Sequence, residues 1–159
     1  SAYISNSCEG IVEGVESMEQ YQPHNVSGTS YSIYMVGSKI LLKNGSRIPI
    51  RQSVKPGQSP AHVNEIACNG NIILAIKRRN KEELAILRFT QTGNIIDAFQ
   101  VVLSDISQYF PEKNWPMIWN IQATKEDLTV TLGHYSYKTT ADAGGVLEQQ
   151  VTYTVKIPQ

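Results

Sequence analysis

The groups in this sequence able to do chemistry are few: His24, His62 and His134, Cys8 and Cys68, and fourteen acidic side chains. A metal site needs three or four ligands at workable geometry. His62-Val-Asn-Glu65 offers two, and nothing near it completes the set. No Gly-x-Ser-x-Gly elbow is present, and no dinucleotide or Walker glycine pattern. Gly37-Ser38-Lys39 lacks the upstream glycine of a phosphate loop. The adjacent acids Glu82-Glu83 and Glu126-Asp127 fall in polar turns. Glycoside hydrolysis needs two carboxylates facing each other across a cleft. A pocket gathering Glu65, Asp97 or Asp142 with another acid would be required for a catalytic reading. The expectation is a protein that is not an enzyme and uses no metal or cofactor.

The two cysteines leave three readings open: a structural disulfide, two buried thiols, or one reactive thiol. Their spacing fits no zinc pattern and no Cys-x-x-Cys redox motif. A Cys8–Cys68 bond would close a loop of some sixty residues, worth at most roughly 4 kcal/mol by chain entropy. It would imply an oxidising compartment, so the expected location is periplasmic or extracellular. No apolar run approaches the ~20 residues of a membrane span. The chain starts at Ser1 with neither Met nor leader and reads as a mature or trimmed form.

Two polar segments could bind a partner. Lys77, Arg78, Arg79 and Lys81 put four cations into five residues at the tip of an expected hairpin, either protecting an edge or anchoring in an acidic groove. Gly133 to Glu148 reads as a long polar tip, and tips of such length are functional or disordered. Within it His134, Tyr135, Ser136, Tyr137 and Lys138 bring aromatic surface of the kind enriched in binding hot spots. Trp115 and Trp119 read as core. Asn25-Val-Ser27 and Asn44-Gly-Ser46 match the glycosylation triplet, the second being better explained by a turn.

The elements that would hold these groups are mostly strands. Residues 65–102 alternate apolar runs of strand length with Gly/Asn turns and one polar tip: an antiparallel meander over Ile72–Ile76, Leu84–Phe89 and Ile95–Val101. Tyr31–Val36, Lys39–Lys43 and Arg47–Arg51 read as short strands turned by Gly37-Ser38 and Asn44-Gly45, with Pro49 assigning the third to an edge. Ile118–Ala123, the alternation from Leu128 to Leu132, and the alternation from Val151 to Ile157 complete the strands. Ile11, Val15 and Met18 suggest a short amphipathic helix, against Gly10 and Gly14. Ser104 to Phe110 suggests a capped helical turn stopped by Pro111. Ile66–Ile76 is echoed by Ile121–Leu132 about 55 residues on. The expected fold is a single β-rich domain over 1–159, with antiparallel meander sheets in a sandwich or open propeller-like stack and one or two short helices.

Composition limits the function further. Net charge is zero, which argues against a nucleic-acid binder. The charge is nonetheless segregated: Glu9, Glu13, Glu16 and Glu19 come first, and residues 21–60 carry five cations and no acid. Either the two segments pack together, or the basic one forms a face for an acidic partner. In its size, possible disulfide, meander and lack of catalytic motifs, the chain resembles small periplasmic immunity proteins that neutralise secreted bacterial effectors. The resemblance is one of general character and transfers no residues. It implies a non-catalytic module whose protruding loops block a partner enzyme, a secreted toxin or hydrolase. The alternative is an envelope or surface structural protein within a larger β assembly, self-associating or covering an edge near Arg47–Arg51.

Overall fold

The computed structural model describes residues 3–20, 24–25, 32–54, 63–77, 82–110, 116–136 and 146–159. Among these the chain is mostly strand, arranged in three sheets that do not close into a barrel. One short helix, α1 (Ile106–Tyr109), and one 3-10 turn (Asn6–Cys8) accompany them.

The central sheet is the expected meander. β6 (Val63–Cys68), β7 (Ile72–Lys77), β8 (Glu83–Phe89) and β9 (Ile95–Val102) pair antiparallel in chain order, and β1 (Tyr3–Ile4) joins the free side of β6 in parallel. Gly70 and Gly93 adopt positive φ in its turns, a conformation that costs other residues steric strain. Ile72, Ile73, Leu74 and Ala75 are all fully buried. An unbroken apolar run of this kind marks a strand covered on both faces.

Each face has its own layer. The N-terminal sheet is built from β2 (Val12–Gln20), β3 (His24–Asn25), β4 (Ser32–Leu42) and β5 (Arg47–Val54). Val12, Ile40, Leu42, Ile48 and Ile50 from this sheet pack on Ile66, Ile72, Leu74 and Phe89. On the opposite face lie β10 (Met117–Ala123), β11 (Asp127–Ser136) and β12 (Val146–Lys156). Ile118, Ile121, Leu128, Val130, Leu132 and Val155 pack with α1 on Ala67, Ile73, Ala75, Leu84 and Ile86. Each large side chain so buried contributes about 1.5–3 kcal/mol. The echoed segments are the β6–β7 and β10–β11 hairpins of neighbouring layers. Asn69 ties their turns together by donating to the Thr124 carbonyl at 2.9 Å.

Cys8 and Cys68 form a disulfide in the N-terminal core, joining the 3-10 turn to the end of β6. Ser7 supports the junction, its Oγ accepting from the Cys68 amide at 3.1 Å. The acidic and basic segments do pack together: Glu13 pairs with Lys43 at 3.5 Å and Glu16 with Arg47 at 3.4 Å.

Three local expectations change. The segment read as a helix is strand β2, and its register on β4 shifts between Val12 and Gly14 and again between Glu16 and Glu19. Bulges of this kind insert unpaired residues, so the apolar spacing departs from strict alternation and mimics a helical period. Gly37-Ser38 is no turn. Both lie inside the continuous β4, opposite Arg51 and Ile50 of β5. Trp119 is 44% exposed and not core, because a register shift between Ile118 and Asn120 turns it outward while Ile118 and Ile121 point in. Trp115 lies outside the described residues. Other readings hold. β5 is an edge strand containing Pro49. Asn44 closes its turn by accepting from the Ser46 amide at 2.8 Å.

Candidate functional site

The cation cluster is reduced by the structure. Lys77 is the last residue of β7 and is 1% exposed, so it is part of the buried interior and not a projecting anchor. By strand alternation it follows Ile73 and Ala75 on the face that meets the C-terminal layer, with Leu84 opposite it on β8. Burial lowers its pKa to about 8, against an opposing pull from Glu82 and Glu83. Arg78, Arg79 and Lys81 lie outside the described residues.

Glu65 shares that face. It stands opposite Ala75, is 4% exposed, and its Oε2 has no hydrogen-bond partner. Burial raises its pKa to about 8. The carboxyl therefore sits in the apolar layer as the neutral acid over most of the physiological range. Asp97, the acid considered with it, is on β9, three strand spacings or about 14 Å across the sheet, and two residues further along it. Asp97 is also engaged, accepting from Arg88 Nε at 2.8 Å and from Nη2 at 2.6 Å. That ion pair holds the Asp97 carboxyl below its ordinary range. The sheet thus separates Glu65 from Asp97, and Asp142 lies outside the described residues. Among the described residues no cluster of three His, Cys, Asp or Glu side chains could hold a metal.

The aromatic segment is partly reassigned. β11 does not end at Leu132: Gly133, His134, Tyr135 and Ser136 continue it, paired with Gln150, Gln149, Leu147 and Val146 of β12. The expected loop is therefore shorter at both ends, because the backbone of this polar stretch finds ladder partners. Strand β10 stops sooner, its first pair being Met117 with Gly133. Among the described residues, the third sheet beyond Gly133 is a two-stranded arm that includes His134, Tyr135 and Ser136. Tyr137 and Lys138 lie outside the described residues.

One feature lacked a motif. β9 is the outer strand of the central sheet, and it exposes Ile95 (62%), Ile96 (41%) and Val102 (70%). The last strand of a meander has no following strand of that meander beside it, and this is the available sign. The α1 end of the meander is braced elsewhere: Tyr153 Oη donates to Asp105 Oδ1 at 3.1 Å, so Asp105 starts the helix without capping it. No helix among the described residues is long and apolar enough to cross a membrane. Comparison with known protein families, curated proteins and solved structures gives no match.

Proposed function

We propose that this chain is a non-catalytic protein-binding module acting in the periplasm or outside the cell, of the inhibitor or immunity type, which blocks a partner enzyme's cleft. The observation that carries this reading is the β11–β12 arm. Among the described residues it extends past β10 as two strands, with Tyr135 in β11 paired to Leu147 of β12. A paired two-stranded element with aromatic residues suits insertion, since tyrosine supplies large contact area at little conformational cost. The Cys8–Cys68 disulfide supports an oxidising compartment. The test is to recover a partner from an envelope extract and measure its affinity by calorimetry. Tyr135→Ala and Tyr137→Ala should each weaken binding by more than about 1 kcal/mol, roughly fivefold. Unchanged affinity with an intact fold removes the arm as the inserted element.

A second reading, a structural protein within a larger β assembly, rests on the edge of β9, which among the described residues pairs only with β8. It requires particles that keep growing as concentration rises.

A further inference from the structure

The edge of β9 differs from those of β5 and β12. β5 carries Pro49 and Arg47, and β12 ends in the exposed Lys156, devices that discourage strand addition. β9 reads Ile95-Ile-Asp-Ala-Phe-Gln-Val-Val102, without proline or lysine. Its one charge, Asp97, is already bound by Arg88 of its own sheet. Among the described residues only β8 pairs with it.

The backbone parity of this edge can be worked out. The Leu103 amide donates to the Glu82 carbonyl at 2.6 Å, just beyond the pair Glu83 with Val102. In an antiparallel ladder hydrogen-bonded and non-bonded pairs alternate. Val101, Phe99 and Asp97 therefore turn their amides and carbonyls inward to β8, and Val102, Gln100 and Ala98 turn theirs outward. The side chains of these three outward residues are all exposed.

We infer that β9 is a homodimerisation edge, pairing antiparallel with β9 of a second copy about a twofold axis at Gln100. In this register Ala98 faces the partner's Val102 and Gln100 faces its own counterpart. All three outward residues then meet outward residues, giving three bonded pairs and six main-chain hydrogen bonds. On the other face Phe99 comes opposite the partner's Val101, apolar on apolar. No like charges oppose each other, and a chain of zero net charge brings no long-range repulsion. Val102, the most exposed large apolar residue among those described, is covered, and Ile96 lies diagonal to it. This pairing is independent of the proposed inhibitory role and uses a different sheet from the arm.

One paired edge buries less than the ~1,200 Å² of stable complexes, so association is weak and is sought by sedimentation from about 1 to 500 µM. The wild-type chain should double from 17.7 kDa with rising concentration and stop there. Gln100→Lys and Gln100→Glu each place like charges face to face on the axis, and each should raise the dissociation constant at least tenfold. An equimolar mixture of the two should dimerise again, because opposite charges then meet. A monomer throughout, growth beyond the dimer, a dimer indifferent to both substitutions, or a mixture that stays monomeric would each overturn the inference. Circular dichroism checks that the variants fold, which the exposure of Gln100 favours.

Discussion

Glu65 and Lys77 face the same apolar layer from adjacent strands, Glu65 opposite Ala75 and Lys77 the next β7 residue on that face. Their shifts have opposite consequences for stability. Glu65 rises from 4.5 to about 8 on folding, so its contribution is fully present below pH 4.5 and is lost as pH climbs to about 8. Lys77 falls from 10.5 to about 8, so its penalty acts in full below about pH 8 and fades towards 10.5. Urea midpoints should therefore decline from mildly acid pH to a minimum near pH 8 and recover above it. Glu65→Gln should flatten the falling limb and Lys77→Met the rising one. A flat wild-type profile would show that neither side chain is desolvated.

The disulfide closes a sixty-residue separation, for which chain entropy gives an upper figure near 4 kcal/mol. Replacing both cysteines with Ala should lower unfolding free energy by about 2–4 kcal/mol. Reductant should affect the wild-type protein alike and leave the double variant unmoved.

Arg88 and Asp97 form a two-point ion pair directly across β8 and β9. Asp97→Asn should cost about 1–2 kcal/mol, because Arg88 is nearly buried while Asp97 is partly screened by water. Since Asp97 is held below its ordinary pKa, this contribution exists above that value and disappears as pH falls through the lowered one. Loss of stability in strong acid should be smaller in the Asn variant.

Gly93 has φ +94° at the β8–β9 turn, where an added Cβ would lie 3.6 Å from Ile48 Cγ1 and 3.7 Å from Leu42 Cδ1. Those contacts are ordinary, so the cost of Gly93→Ala is conformational, about 1–2 kcal/mol. Thermal denaturation measures it, and Gly→Ala at Gly14, whose φ is not positive and whose surroundings are open, is the control.

The meander was legible because its signals are local: Ile72–Ala75 is unbroken apolar, and Asn69-Gly70 and Thr92-Gly93-Asn94 turn the chain within a few residues. β2 was not, because two bulges hide its alternation. Lys77 looked like surface, since charge at a strand end normally is. Its burial depends on packing from outside its own strand, and such packing is a long-range property. The same holds for Trp119, turned out by a one-residue shift. For the candidate arm, the sequence shows the residue types of His134, Tyr135 and Ser136 but not that they continue β11 past the first pair of β10.

The layers are stacked in the order in which the chain is written: β2–β5, then β6–β9, then β10–β12. As the chain leaves a ribosome or a translocon, the first sheet must wait with Ile40, Leu42, Ile48 and Ile50 uncovered until β6 and β7 arrive. Cys8 waits as well, a lone thiol until Cys68 emerges. This interval is when oxidoreductases and holding chaperones would find most to bind, and a pause in synthesis shortly before Cys68 would prolong it.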